Sequence, residues 1–314
     1  MGFPLCTAVR PCSAENAGRR RVFRATPRRT ALIVLSIVAC FFPANAALAA
    51  TLEFDRLIQT SPFVGTSVSM GDNEGSAFVP SDNSLWLADD KKRGIYEVDP
   101  TTGALKRMIA RSVFNEALRL GDGSAAGTDR TNDFESMAYD RANDVLYVFS
   151  GKCCTSSILP TAFRLTRQSG QFQVESYQPL PKGADYTADY TGAAWNSSDG
   201  KVYVGKGRYV RSFDYASATE GSPFRVGVAG ITGMDFSPDG ADLFVTNNSE
   251  KLVRVNWSSR TPVSGWTLDL TPFGIRDSRA VAEIAGQFFV SDGYDSRASG
   301  DPRRHAVFVL DAVQ

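Results

Sequence analysis

Residues 232–247, TGMDFSPDGADLFVTN, contain a pattern that occurs five times along this chain. Phe236 lies eight residues before Phe244, the middle of an apolar triplet, and the turn residues SPDG lie between them. The same order of apolar segment, polar turn and apolar segment recurs in EGSAFVPSDNSLWLAD from Glu74, ESMAYDRANDVLYVFS from Glu135, TGAAWNSSDGKVYVGK from Thr191 and a shorter RAVAEIAGQFFVSD from Arg279. Each copy predicts a strand, a tight turn and a second strand.

A third alternating segment follows each pair, and most units have a fourth, such as GWTLDL at residues 265–270. Four short antiparallel strands in a repeated unit are typical of a β-propeller blade. The last unit lacks its fourth strand, whereas Leu52–Ile58 stands alone before the first unit. We therefore predict an all-β fold, a closed five-bladed β-propeller of four-stranded antiparallel blades. Leu52–Ile58 would pair with Ala306–Leu310 and close the ring; an open β-sandwich is the alternative.

A helix is predicted at one place only, Ser112–Leu120, inside the long insertion Arg111–Asp133.

The first 49 residues have a different composition from the rest. Seven arginines and a single acid accompany the apolar run Ala31–Phe42, and Ala47-Leu48-Ala49 then forms an A-x-A cleavage site. We predict that residues 1–49 are an export signal that is removed, and that residues 50–314 form a single propeller domain. The apolar run is short for a bilayer, which needs about 20 residues.

Export places the protein in a secreted or periplasmic location, and three variants stay open. Arg28-Arg29 is compatible with twin-arginine export. Residues 37–40 resemble a lipobox, which would leave a lipid anchor on Cys40. The arginine-rich leader also resembles a plastid address for the thylakoid lumen.

Charge limits the partners. The whole chain has 34 basic and 34 acidic residues; without seven arginines and one glutamate of the leader, 27 and 33 remain, a net charge of −6. We therefore expect no nucleic acid partner. No second long apolar run follows the leader, so no membrane span is expected, and we expect a monomer.

His305 is the only histidine. We expect it on the surface, and we expect no histidine-ligated metal site.

The repeats resemble those of secreted propellers in the NHL, YVTN and gluconolactonase-like groups, with Gly233–Asn247 as the closest stretch. The segments FESMAYD and VSDGYDSR also resemble phytase-related propeller proteins described as esterase-like. Both resemblances imply the propeller fold. A likeness of repeat pattern carries much less information about function.

Blade topology predicts that three groups of residues meet on one face. The first residues of the inner strands are Glu74, Glu135, Thr191, Thr232 and Arg279, and the last residues of the second strands are Asp89, Ser150, Lys206, Asn247 and Asp292. The loops on this face include Cys153-Cys154 and the segment that contains Tyr294. We predict ligand contacts from Thr191, Thr232, Arg279, Lys206, Asn247, Tyr294, Cys153 and Cys154.

Glu74 and Glu135 are the predicted metal ligands, because carboxylate oxygens suit Ca²⁺. The resemblance to gluconolactonase-like propellers implies a metal at this place. This sequence departs from their pattern, because two inner positions are threonine and one is Arg279. Arg279 could instead pair with either glutamate without any metal, and both possibilities stay open.

Cys153 and Cys154 are adjacent, and no other cysteine follows residue 50. A disulfide between neighbours is strained, since their Cα atoms lie about 3.8 Å apart and disulfides prefer about 4.4–6.8 Å. We predict a Cys153–Cys154 disulfide as a rigid knuckle at the ligand site. Two free thiols and bonds to another chain are the alternatives.

Two functions are compatible with this arrangement. The first is an exported module that binds a small molecule, a glycan or a protein on the channel face. The alternative is a calcium-dependent hydrolase of esters, lactones or phosphoesters, with Asp89 or Asp292 as the base. The sequence does not decide whether the protein is an enzyme.

Overall fold

The computed structural model describes residues 50–123, 131–151, 159–180 and 189–313. Its strands in chain order are β1 (Thr51–Ile58); β2 (Asn73–Val79), β3 (Ser84–Asp89), β4 (Gly94–Val98) and β5 (Leu105–Ile109); β6 (Phe134–Asp140), β7 (Val145–Ser150), β8 (Thr161–Gln168) and β9 (Gln171–Pro179); β10 (Gly192–Asn196), β11 (Lys201–Lys206), β12 (Tyr209–Asp214), β13 (Thr219–Glu220) and β14 (Phe224–Arg225); β15 (Ile231–Phe236), β16 (Asp242–Asn247), β17 (Lys251–Asn256) and β18 (Thr261–Asp269); β19 (Ser278–Ile284), β20 (Gln287–Asp292) and β21 (Val307–Val313).

These strands form five antiparallel sheets, which we number as blades one to five from the sheet that begins with β2. The inner strands β2, β6, β10, β15 and β19 lie around a common axis, and each contacts its two neighbours. Blade five consists of β19, β20 and β21, with β1 as its outer strand. Ile58 lies opposite Val307, and Phe54 lies opposite Leu310. The predicted five-bladed ring, closed by the N-terminal strand, is therefore confirmed.

Blade three differs from the others at its outer edge. Its fourth strand is divided into β13 and β14, two-residue segments that both pair with β12.

The helix α1 (Arg111–Asp122) lies between blades one and two, where the sequence predicted a helix. Phe114 and Leu118 are one turn apart and both are buried. The Phe114 ring packs edge-on against Phe134 at 4.7 Å and against Phe163 at 5.1 Å between ring centroids. The helix ends at Gly123, whose φ of 73° is the left-handed conformation that glycine adopts without strain. The helix thus covers the apolar side of blade two.

Adjacent blades pack through apolar and aromatic side chains from their facing surfaces. Phe244 of blade four lies 4.7 Å from Phe288 of blade five, edge to face. Phe149 of blade two lies 5.4 Å from Phe213 of blade three in the same arrangement. Such ring pairs add about 0.5–1.5 kcal/mol each beyond their buried area.

Small residues allow the inner strands to approach the axis. A Cβ on Gly233 would lie 2.5 Å from the carbonyl oxygen of Arg279 and 2.7 Å from the Cα of Ala280. A Cβ on Gly75 would lie 2.8 Å from the Cα of Ser136. The channel between the inner strands has a cavity of about 10 Å³, which is about the space that one water molecule needs. A larger ligand can therefore occupy the channel mouth but not the channel itself.

Among the described residues, we find no helix with the length and apolar character that crossing a bilayer requires.

Candidate functional site at the channel mouth

In four blades the inner strand begins with a β-bulge. In blade one, Asn73 lies opposite Asp89 and Gly75 lies opposite Ala88, so Glu74 between them has no partner on β3. The same irregularity occurs at Glu135, at Thr232 and at Arg279 with Ala280. A bulge turns a side chain away from its regular direction in the sheet. A β-bulge that recurs in four blades therefore sets the side-chain direction of four of the five predicted inner-strand residues.

A second ring of acids precedes these positions, and the sequence reasoning missed it. Aspartate lies two residues before the inner position in four units: Asp72, Asp133, Asp189 and Asp277. The fourth unit has Gly230 there instead. The signal was present in the sequence as D-N-E, D-F-E, D-Y-T and D-S-R, at one offset from the repeat. These aspartates add to the carboxylates of Glu74 and Glu135 and make the mouth strongly acidic.

Asp89 and Asp292, the predicted candidates for a base, occupy equivalent places in blades one and five. Asp89 accepts hydrogen bonds from the backbone N–H groups of Gly71, at 2.7 Å, and Asp72, at 3.2 Å. Asp292 accepts from the N–H groups of Arg276, at 3.3 Å, and Asp277, at 3.0 Å. Both carboxylates are fully buried. These contacts hold the segment that leads into each inner strand, and a catalytic role for either residue stays a prediction.

Arg279 and Glu74 form an ion pair, one of the two arrangements left open by the sequence. Arg279 Nη1 lies 3.2 Å from Glu74 Oε2, and Nη2 lies 2.8 Å from Asp277 Oδ2. The Glu74 side chain is 6% exposed, whereas that of Arg279 is 31% exposed. Burial raises the pKa of Glu74 well above its usual range, and the Arg279 charge opposes that rise.

The negative charge of Glu135 is less well compensated than that of Glu74, which pairs with Arg279. Burial, the charge of Glu74 and a hydrogen bond with Asp133 raise the pKa of Glu135 to about 10. The backbone of Gly151 packs against it, since a Cβ on that glycine would lie 2.5 Å from Glu135 Oε1. The structure therefore brings the two predicted glutamates together as a crowded acidic pair.

Three carboxylates on the blade-one side form a cluster that could hold a metal ion. Asp72, Glu74 and Asp90 each offer an oxygen, and these oxygens lie within 4.8 Å of one another. Burial raises the pKa of Asp72 to about 7 and that of Asp90 to about 6. Of the two predicted metal ligands, Glu74 belongs to this cluster and Glu135 does not.

The predicted threonines form part of the channel wall. The Thr191 hydroxyl donates to the carbonyl oxygen of Ile231 at 2.6 Å, which connects blades three and four. The Thr232 hydroxyl donates to the Thr246 hydroxyl at 3.3 Å.

The other predicted ligand residues lie at the rim. Lys206 Nζ lies 3.6 Å from Asp189 Oδ2. Asn247 Oδ1 accepts from the N–H groups of Ser249 and Lys251, so its side chain caps a turn. The Tyr294 ring is in contact with the guanidinium groups of two arginines, Arg276 at 5.4 Å and Arg297 at 5.5 Å from its centroid. Cys153 and Cys154 lie outside the described residues, and their disulfide stays a prediction.

His305 corrects the expectation of a surface residue. It is only 1% exposed, at the end of the loop from Asp292. Its Nδ1 lies 3.6 Å from Asp72 Oδ1, and its Nε2 lies 3.5 Å from Asp295 Oδ1. Burial lowers the pKa of His305 to about 4, so the ring is neutral at pH 7. The loop before β21 folds inward here, and no periodicity in the sequence indicates that path.

Comparison with known proteins supports the fold. No known family profile matches this sequence, and no curated protein matches it either. Among solved structures, the chain is similar to glutaminyl cyclase from Myxococcus xanthus, with 11% identity, a TM-score of 0.56, and coverage of 84% of this chain and 98% of that one. It is also similar to a luciferin-regenerating enzyme, with 11% identity, a TM-score of 0.45, and coverage of 78% and 92%.

The structural likeness to glutaminyl cyclase, at 11% identity, supports a shared fold and nothing finer. Both neighbours are enzymes by name. The resemblance to the NHL, YVTN and gluconolactonase-like groups stays a prediction. The chain is therefore assigned to the β-propeller fold without a narrower family.

Proposed function

We propose that this chain is an exported propeller that binds a small, positively charged molecule at the acidic mouth of its channel. The observation that carries the proposal is the crowding of carboxylates around the buried Glu135, where burial and the charges of Glu74, Asp133 and Asp189 raise its pKa to about 10. A carboxyl group in that condition holds a proton at neutral pH because it is buried and because the charges around it are negative. A ligand cation in its place would relieve the repulsion and release the proton.

Charge at the mouth supports a cation rather than an anion as the ligand. Among the described residues there, the carboxylates outnumber the cations: Asp72, Glu74, Asp90, Asp133, Glu135, Asp189, Asp277 and Asp295 against Arg279, Lys91, Lys206, Arg276 and Arg297. Of these cations, Arg297 is paired with the buried Asp292. Arg279 is engaged by Glu74 and Asp277 on the blade-five side. The place for an added cation is therefore nearer to Glu135, on the blade-two side.

The test compares choline with 3,3-dimethyl-1-butanol, which has the same shape without the charge. We expect choline, and other ammonium compounds in the same series, to raise the Tm of residues 50–314 while the neutral isostere does not. Affinity should increase from pH 6 to pH 9, and calorimetry in two buffers should show proton release. Glu135→Gln should weaken binding at least tenfold. Glu175→Gln, on the outer strand β9, should leave binding unchanged. Ammonium compounds that never raise the Tm, or that do so equally in Glu135→Gln, contradict the proposal.

The cluster of Asp72, Glu74 and Asp90 favours a second candidate, the metal-dependent hydrolase. A bound ion there could polarise an ester, a lactone or a phosphoester and activate water. A panel of such substrates, assayed with calcium and with chelator, tests this candidate. Chelator-sensitive turnover that is lost in Glu74→Gln supports it, and equal turnover in chelator excludes it.

A further inference from the structure

A cleft opens between the outer parts of blades two and three, at the strand ends that lie away from the channel mouth. Its volume is about 930 Å³, within the range of about 300–1,000 Å³ that ligand sites usually have. β11 runs from Lys201 at the cleft to Lys206 at the mouth rim, so about 17 Å separates the two places at about 3.4 Å per residue. Side chains from both blades line the cleft, among them Tyr147, Arg164 and Ser176 from blade two and Lys201, Asp214 and Tyr215 from blade three.

The cleft occupies a space that larger aromatic rings fill between the next two blades. There, Trp257 follows the last residue of β17, and its ring centroid lies 4.7 Å from that of Tyr203 in blade three and 4.7 Å from that of Phe236. Tyr215 follows the last residue of β12 in the same way, and its ring centroid lies 5.4 Å from that of Tyr147 in blade two. Because a phenol is smaller than an indole, part of the space between blades two and three stays open.

Two side-chain contacts stabilise the wall of the cleft. The Tyr215 hydroxyl donates to Ser176 Oγ at 3.0 Å, which connects the turn of blade three to the outer strand of blade two. Arg164 forms an ion pair with Glu175, and this pair adds no net charge to the cleft. Tyr147 is buried and Tyr215 is half-buried. The Tyr215 ring is therefore the aromatic surface that a ligand can reach.

The rim of the cleft has one exposed charge of each sign. Lys201 and Asp214 come one residue beyond the pair of Val202 with Phe213 on β11 and β12, and both are exposed. Asp214 Oδ1 accepts a hydrogen bond from the N–H group of Ala216 at 2.9 Å, which fixes the carboxylate at the turn. The rim thus offers hydrogen-bond donors and acceptors side by side without a net charge.

Two other acids at the cleft are engaged by the protein itself. Glu220 Oε2 lies 3.3 Å from Arg211 Nε. Asp140 Oδ1 accepts hydrogen bonds from the N–H groups of Ala142, at 2.9 Å, and Asn143, at 3.1 Å. A ligand cation would compete with these partners, and a ligand anion would face both carboxylates. The cleft therefore favours a neutral ligand.

We propose that this cleft binds a neutral sugar. A sugar hydroxyl donates and accepts hydrogen bonds at once, so the ammonium group of Lys201 and the carboxylate of Asp214 can both serve it. The Tyr215 ring offers a flat apolar surface for the C–H face of a pyranose, while its own hydroxyl is held by Ser176. The proposal does not rest on the cationic ligand, whose place is at the mouth.

The experiment measures binding to residues 50–314 by ligand-observed NMR, with the methyl glycosides of glucose, galactose, mannose and N-acetylglucosamine as probes. The uronates and the 2-amino sugars of the same hexoses carry a negative or a positive charge and complete the panel. We expect one or more neutral glycosides to bind, and their charged counterparts to bind at least about tenfold more weakly. A panel in which no neutral glycoside binds, or in which a charged form binds as tightly, overturns the proposal.

Ala216→Trp tests whether the sugar occupies the cleft. Ala216 is exposed in the turn after β12 and lines the cleft, so an indole there would fill the space and weaken binding at least about tenfold. Ser258→Trp is the matched control, since Ser258 is exposed at the same place in the turn after β17 and should leave the affinity unchanged. Equal binding by Ala216→Trp and the wild type overturns the proposal.

Two further measurements keep the result independent of that variant and of the mouth. Lys201→Met and Asp214→Asn change exposed side chains and should each weaken binding at least about tenfold, because each removes a hydrogen bond to a charged group; unchanged affinity in both overturns the proposal. Choline in excess should not displace the glycoside. Displacement by choline would place the sugar at the mouth and overturn its assignment to the cleft, whereas failure of any sugar to bind leaves the proposal for the mouth standing.

Discussion

The ion pair between Arg279 and Glu74 should depend strongly on pH, and Arg279→Met tests this. Methionine keeps much of the length of the side chain and removes the charge, which leaves Glu74 buried without its cation. At pH 8 the glutamate must stay ionised at a cost or take up a proton. Burial raises the pKa of Glu74, so in acid a larger share of the glutamate is protonated and needs no cation. The substitution should therefore be much less harmful in acid.

The distance between Arg279 Nη1 and Glu74 Oε2 sets the size of the stability loss that we expect from Arg279→Met. At 3.2 Å and an effective dielectric constant of about 20, the attraction between two unit charges is about 5 kcal/mol. Desolvation of both groups offsets part of this, and breaking a buried pair by removing one partner commonly costs about 3–5 kcal/mol. Arg279 is partly exposed and also contacts Asp277, so we expect a loss near the lower end, about 3 kcal/mol at pH 8. At pH 5 the loss should fall to about 1 kcal/mol, the value of one hydrogen bond.

Urea unfolding, followed by tryptophan fluorescence in the presence of chelator, measures these differences at both pH values. A cycle with Glu74→Gln isolates the pair, and its coupling energy should be about 1.5–3 kcal/mol at pH 8. Arg303→Met is the matched control, since Arg303 pairs with Asp301 in an exposed loop, where solvent screens the pair, and it should destabilise the protein much less than Arg279→Met at either pH. The same loss at pH 5 and pH 8, or a coupling energy near zero, would refute the reasoning.

Three other predictions test the ring, the cysteines and a buried acid. Gly233→Ala should lower the Tm by about 2–12 °C, because the added Cβ would lie 2.5 Å from the Arg279 carbonyl oxygen and overpacking costs about 1–3 kcal/mol; calorimetry that shows no change contradicts the crowding. The exported protein should gain two protons on reduction if Cys153 and Cys154 are joined, and two thiols that alkylate before reduction exclude the bond. Burial raises the pKa of Asp235 to about 7, so the folded state keeps a proton that the unfolded state has lost. The free energy of unfolding should therefore fall from about pH 4 to pH 7, by up to about 1.4 kcal/mol per unit, and less steeply in Asp235→Asn; parallel curves for the two proteins contradict this.

The sequence predicted most of the fold because its signals are local. Alternating apolar residues and turns such as SPDG mark each pair of strands, and their repetition specifies blades. The last repeat lacked a fourth strand, and the lone segment Leu52–Ile58 supplied it, so the sequence predicted the strand that closes the ring. The faces of the blades follow from strand order alone, so the ends of β3 and β20 at Asp89 and Asp292 were placed correctly as well.

The candidate site was only partly predictable. The bulges at Glu74 and Glu135 depend on how neighbouring inner strands crowd around the axis. The sequence of one strand does not show this crowding. The aspartates at Asp72 and Asp277 recur at a fixed offset, but they precede the strands and resemble ordinary loop residues. His305 is buried because a loop folds over the mouth, and a loop without periodicity gives no sign of its path.

The pairing of β1 with β21 also affects folding during synthesis of the chain. Thr51 pairs with Val313, 262 residues further along the chain, so blade five forms only after β21 has been synthesised. Contacts between such distant residues form late and slowly. A product that stops before Val307 would keep two unpaired sheet edges, at β1 and at β20, and open edges invite aggregation. Closure of this blade thus distinguishes chains that contain β21 from chains that stop before it.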